Sequence, residues 1–216
     1  MDQAQELSLE KRVKHLLEEN KLDRVTLEKL SDEELMLLFQ QDVQLAFDLL
    51  VERFKNPLMN YIFRFTGNAE DAADILQDTF IRVYRKKHLY RTIARFSTWV
   101  YTIAGNLAKS ELRRGHRKYL RPIDRKKDDD EEWSIPLPDG EPLPDRMADS
   151  NIVTERIQEA LLKLPDVFRE AVVLRDIQEM SYEEIAEITE MPIGTVKSRI
   201  SRGRLQLQEL LKDLYD

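Results

Sequence analysis

No cysteine occurs anywhere in the 216 residues, so the chain can form neither a disulfide nor a thiolate metal site, and it has no thiol nucleophile. Histidine is nearly as scarce. His15, His88 and His116 lie far apart, and none has the spacing of a metal ligand set. No cofactor and no metal are therefore expected. No apolar run is long enough to cross a bilayer. The opening MDQAQELSLEKR lacks the apolar core of a signal peptide, which predicts a soluble protein of the cytoplasm. Glycine numbers only 6, while apolar residues make up 42% and charged residues 35%. That mixture predicts an all-α protein with real cores.

The net charge of −7 argues against a nucleic-acid partner only until it is divided along the chain. Residues 1–78 carry 17 acidic and 9 basic side chains, and residues 79–127 carry 2 acidic and 15 basic. Residues 128–149 carry 9 acidic and 1 basic, and residues 150–216 carry 13 acidic and 9 basic. Attraction to phosphate is screened within about 10 Å at physiological salt, so the local block matters more than the total.

Periodicity divides the chain into four parts. Residues 1–35 form an N-terminal extension. Within it, 8–22 can form a short charged helix, with a frayed, solvated segment the favoured alternative. Residues 36–118 form a first helical domain. Ser31 and Glu34 have capping-box spacing. Val43, Phe47, Leu50, Phe54, Leu58, Ile62 and Phe65 recur at steps of three and four. Pro57 is expected to kink or divide that helix. Gly67-Asn68 marks a turn, and a second apolar stripe runs from Ala72 to Val83. Residues 88–96 read as a loop, and a further helix runs from about Ser97 to Arg114. Residues 119–150 hold Pro136, Pro138, Pro142 and Pro144, with Pro122 near the start, and the run Asp128-Asp129-Asp130-Glu131-Glu132. They read as a flexible linker able to span roughly 100 Å when extended. Residues 151–216 form a second small helical domain.

The strongest local pattern lies between Ser181 and Leu207. A short helix, the turn Met191-Pro192-Ile193-Gly194 and a second helix make a helix-turn-helix, in which Ile185, Ala186, Val196 and Ile200 pack the crossing. The first helix is acidic. Residues 194–204 hold four basic side chains and no acidic one. Such a polarity suits a recognition helix entering the major groove.

In the basic block, Tyr84, Tyr90, Phe96, Trp99, Tyr101 and Tyr119 are interleaved with arginine and lysine. Exposed aromatics beside basic groups can stack unpaired bases, although aromatics at helical spacing are more often core. The loop 88–96 is the better candidate for base capture.

Three segments in order resemble the extracytoplasmic-function (ECF) group of the sigma-70 family. EDAADILQDTFIRVYRK at 70–86 resembles the polymerase-binding helix of region 2. FSTWVYTIAGNLAKSELRR at 96–114 resembles its DNA-melting helix. LPDVFREAVVLRDIQEMSYEEIAEITEMPIGTVKSRISRGRLQL at 164–207 resembles region 4. The resemblance implies a factor without chemistry of its own. It implies core RNA polymerase (the beta-prime clamp helices and beta flap), promoter DNA and an anti-sigma factor as partners. It assigns Asp71, Asp74, Gln77, Asp78, Phe80 and Arg82 to polymerase. It assigns Lys87, Tyr90, Arg95, Phe96, Trp99, Asn106, Arg113, Arg114 and Arg117 to melting and the −10 element. Thr195, Lys197, Ser198, Arg199, Arg202 and Arg204 fall on the −35 element. The acidic run 128–132 is either an RNA mimic or a solvated tether. The chain departs from the family pattern at three places: Gly105, where arginine is common; the pair Ser110-Glu111, where aspartate is common; and Glu190, where glycine is frequent. The rivals are a free-standing dimeric helix-turn-helix regulator, a nucleic-acid enzyme and a protein-only adaptor.

Overall fold

A computed structural model describes residues 3–92, 94–118 and 148–214, and contains no strand among them. Its helices are α1 (Gln3–Glu18), α2 (Arg24–Leu27), α3 (Asp32–Gln40), α4 (Gln44–Thr66), α5 (Ala69–Arg85), α6 (Phe96–Lys118), α7 (Ala148–Lys163), α8 (Asp166–Val172), α9 (Tyr182–Thr189) and α10 (Ile193–Leu210). Most of the segment read as a linker, 119–147, lies outside the described residues, and with it the acidic run. Residues 148–150 already belong to α7.

Helices α3 to α6 form an N-terminal bundle whose ends are set by short-range chemistry. Ser31 Oγ accepts from the Glu34 amide at 3.2 Å, and the Glu34 carboxylate accepts from the Ser31 amide at 2.9 Å. This reciprocal pair satisfies two donors that a helix start otherwise leaves free. Helix α4 ends at Gly67, whose φ of 79° needs the freedom of glycine. Asn68 Oδ1 then accepts from the amides of Glu70 and Asp71 at 2.8 and 3.2 Å, which starts α5. Acidic residues open α5, and Arg82 and Arg85 close it, as the helix dipole favours.

Two elements differ from their sequence reading. Helix α4 runs unbroken through Pro57. A proline inside a helix costs about 3 kcal/mol, but buried side chains flank it on both sides, with Val51 and Phe54 before and Leu58, Ile62 and Phe65 after. Burial of one such side chain contributes about 1.5–3 kcal/mol, so packing outweighs the break. The N-terminal extension is not a frayed tail: α1 lies on α3, with Val13 buried and Leu16 and Leu17 packed against the core. The Arg12 guanidinium lies 3.0 Å from Glu34 Oε1, at ion-pair distance but without hydrogen-bond alignment, since that oxygen has no hydrogen-bond donor.

Helices α7 to α10, with a π-helical turn at Val173–Ile177, form the C-terminal unit. Helices α8 and α10 cross closely at Gly203, where a Cβ would lie 2.5 Å from Val172 Cγ2. The two units are packed together. Arg169 is the principal tie. It is buried, and it donates to the carbonyls of Leu161, Leu162 and Leu164 on its own side and to Phe65 O at the end of α4. A cation surrounded by carbonyls at helix C-termini is favourable. Gln158 bridges in the same way, accepting from Arg64 at 3.0 Å and donating to Phe63 O at 3.3 Å.

Candidate nucleic-acid interface

The helix-turn-helix is built as the pattern predicts. Ser181 and Glu184 form a second complete capping box at the start of α9. Ile185, Val196 and Ile200 are buried where α9 crosses α10. The turn places Glu190 in the left-handed region, at φ 54° and ψ 41°. A side chain costs roughly 1–2 kcal/mol in that conformation, a cost that glycine would avoid.

Along α10, Lys197, Ser198 and Arg202 are exposed, while Thr195 and Arg199 are half-buried. The Lys197 ammonium sits 5.5 Å from the centroid of the Tyr182 ring. Arg204 is occupied: its Nε donates to Asp176 Oδ2 at 3.0 Å. That hydrogen bond to Asp176 raises the guanidinium pKa further. Four of the six residues thus form a contiguous surface near the N-terminal half of α10, with Arg202 one turn beyond and Arg204 held to the side.

Helix α5 presents Asp71, Asp74, Asp78 and Arg82 at steps of three and four, all exposed. Among the described residues no ion pair neutralises the three carboxylates, which leaves a negative stripe available to a basic surface. Gln77 is half-buried beside it. Phe80 is not on this surface. It is buried and meets Phe47 edge-on with centroids 6.4 Å apart.

The expectations for the basic middle need correction. Lys87 is buried: its Nζ donates to Phe39 O at 3.2 Å, pairs with Asp42 and lies 4.7 Å from the Phe39 ring centroid. Tyr90 and Phe96 are core residues packed on each other, 6.0 Å between centroids. Burial holds the Tyr90 hydroxyl above its ordinary pKa, with Glu33 and Asp32 adding to the effect, and that hydroxyl donates to Ala94 O at 2.9 Å. The segment 88–96 therefore turns its aromatics inward, because Gln40 ties it down by donating to Lys87 O and Tyr90 O at 2.7 and 3.0 Å. Trp99 is half-buried against Tyr90 and Phe96. Asn106, Arg113 and Arg114 are exposed on α6, Arg114 lying 3.6 Å from Glu111. Arg95 is exposed but pairs with Glu184 of α9 at 2.7 Å. The Arg117 backbone belongs to α6, and its side chain lies outside the described residues.

Residues 50–118 match the family described as Sigma-70 region 2, and residues 154–207 match Sigma-70, region 4. The ECF RNA polymerase sigma factor SigW of Bacillus subtilis is 38% identical over 172 residues, which is 78% of this chain and 90% of that protein. The RNA polymerase sigma-H factor of Pseudomonas aeruginosa is 34% identical over 184 residues, 85% of this chain and 95% of that protein. This chain is an ECF sigma factor of the sigma-70 family. Among solved structures it resembles the sigma factor RpoE of Bartonella quintana in complex with the anti-sigma factor NepR, with a TM-score of 0.58 and 26% identity over 77% of this chain and 96% of that one. CnrH, solved in complex with the cytosolic domain of CnrY, shares the fold, with a TM-score of 0.64 and 24% identity over 84% of this chain and 97% of that one.

Within this sigma factor, sequence reasoning missed the residues that join regions 2 and 4. Tyr61, Gly105 and Lys109 meet at Glu170, and Arg169 reaches Phe65, across separations of about sixty to 109 positions in the chain. The departure of Gly105 from the family pattern was the one signal pointing there. No helix of the described residues is long and apolar enough to cross a membrane, and no cluster of histidine, aspartate and glutamate there could hold a metal.

Proposed function

We propose that this sigma factor acts by binding alone, in the cytoplasm, as the dissociable promoter-recognition subunit of RNA polymerase. The acidic stripe Asp71, Asp74 and Asp78, flanked by Gln77, docks on the beta-prime clamp helices. Region 4 contacts the beta flap and the −35 element, with Thr195, Lys197, Ser198, Arg199 and Arg202 entering the major groove. Arginine in that groove can pair with guanine in bidentate fashion. Trp99, Asn106, Arg113, Arg114 and Arg117, joined by Arg95 once it is released from Glu184, hold the non-template strand at the −10 element. Holding that strand offsets the cost of unstacking, a few kcal/mol per extruded base. An anti-sigma factor is a further partner, a reading supported by the Bartonella relative solved with one.

The observation that carries this reading is the pairing, in one chain, of an un-neutralised acidic helix face with a basic recognition helix. A free-standing DNA-binding regulator has no use for the former. Capture of purified core polymerase on the immobilised protein tests it. The double variant Asp74→Lys/Asp78→Lys should lose most of the captured polymerase while melting at the same temperature as the wild type. Equal capture by both proteins would refute the docking role.

A further inference from the structure

The N-terminal arm has no part in the function proposed above, yet one residue of α3 connects it to the DNA face. Gln40 is half-buried, and it lines the groove between α1 and α3 together with Val13 and Leu17. Its Nε2 donates to Lys87 O at 2.7 Å and to Tyr90 O at 3.0 Å. The Tyr90 ring in turn lies 5.4 Å from the Trp99 ring, centroid to centroid. Of the three aromatics assigned to the −10 element, Tyr90 and Phe96 are buried and only Trp99 is not.

Helix α3 also holds the other support of that ring. Glu33 Oε1 accepts from the Phe96 amide at 3.1 Å, and the Phe96 ring lies 6.1 Å from Trp99. Trp99 thus rests on two rings, and the backbone of each is tied to α3. The arm matters because of water. A hydrogen bond contributes little net free energy where water competes for the same groups, and more where it is shielded. Val13 and Leu17 cover the side of Gln40 that faces the groove, and Arg12 beside the buried Glu34 adds a charge contact to the same helix. At 16 residues, α1 is near the length at which an isolated helix is marginal in water, so it depends on α3 to persist. Withdrawal of the arm would open the Gln40 amide to solvent.

We propose that α1 is a positioning element of the DNA-opening face. Seated on α3, it shields the Gln40 amide, which fixes Tyr90 and, through Tyr90, the Trp99 ring. Gln40 acts through Trp99 and is a positioning residue. The inference rests on the −10 role proposed for Trp99 above.

The chain has two tryptophans, Trp99 and Trp133, so in a Trp133→Phe background the emission reports Trp99 alone. Val13→Asp displaces the arm, and Gln40→Met keeps the bulk of the side chain without its donors. Each should shift Trp99 emission to the red and raise its quenching by acrylamide in the full-length protein. In holoenzyme reconstituted with core polymerase, each should lower the equilibrium constant for opening at the −10 element, read by permanganate reactivity of its thymines. The expected factor is about three- to tenfold, the net worth of roughly one hydrogen bond. The double variant should fall no further than the more impaired single one, because both changes cut the same path. Capture of core polymerase, and recruitment of the holoenzyme to duplex DNA carrying the −35 element alone, should stay at the wild-type level. Wild-type emission and opening in Val13→Asp overturns the proposal. So do losses that multiply in the double variant, and so does a fall in polymerase capture in proportion to opening, which would make the arm a support of the whole unit. Trp99→Ala judges the −10 reading separately: undiminished opening by that variant removes Trp99 from the strand, whereas unchanged emission in Val13→Asp removes the coupling to the arm alone.

Discussion

The Arg169 guanidinium donates to the carbonyl of Phe65 at 2.7 Å, so one side chain of region 4 completes the C-terminus of a helix in region 2. Three more of its hydrogen bonds go to carbonyls of residues 161–164. Burial lowers its pKa, and Asp166, 3.3 Å away, counters this.

Arg169→Met keeps the packing volume but leaves four carbonyls without this donor. Hydrogen bonds to a charged group contribute about 1.5–3 kcal/mol net, and their loss here is partly relieved by water. A loss of about 2–4 kcal/mol is expected in urea unfolding. A change below about 1 kcal/mol would mean that water satisfies the carbonyls as well as the guanidinium does.

Glu190 holds a left-handed backbone at φ 54°, just before the recognition helix. Glu190→Gly relieves that strain and is expected to raise stability by about 1 kcal/mol, net of the entropy that glycine loses on folding. Thermal unfolding of the two proteins checks the sign.

Much of region 4 was legible because its signals are local. The Ser181–Glu184 box, the Met191–Gly194 turn and the apolar steps through Val196 and Ile200 each span a few residues, and the structure repeats them closely. Lys87 and Tyr90 were misjudged because their burial depends on Gln40, forty-seven and fifty positions away, clamping the segment inward. At Pro57 the expected division of the helix does not occur, for the converse reason: a local rule yielded to packing against α5 and α6. For α1, charge was visible in the sequence, whereas the α3 surface that receives Val13 was not.

Glu184 links the cap of α9 to Arg95. Partial burial pushes its pKa up, but the Ser181 amide and hydroxyl, together with Arg95, outweigh this and leave it below the ordinary value of 4.5. A carboxylate with a depressed folded pKa contributes stability that is fully present above its unfolded value and is lost as pH falls through the folded one. The stability advantage of wild type over Glu184→Gln should therefore be constant from pH 7 to about 5 and shrink below pH 4.5. Melting curves at stepped pH measure it, and an advantage that grows on acidification would reverse the assignment.

Lys197→Ala/Arg199→Ala should weaken binding to promoter DNA, reduce the salt dependence of that binding by about one to two counterions, and leave capture of core polymerase unchanged. Gel shifts over a salt series, beside the capture assay, separate the two. Undiminished DNA affinity would remove α10 from the interface.

The most direct measurement is run-off transcription with purified core polymerase, with and without this protein, on a library of bacterial promoter fragments. The account predicts new, defined start sites that appear only when the protein is added and vanish with Asp74→Lys/Asp78→Lys. Core polymerase that gains no start site on any template at saturating protein would contradict it.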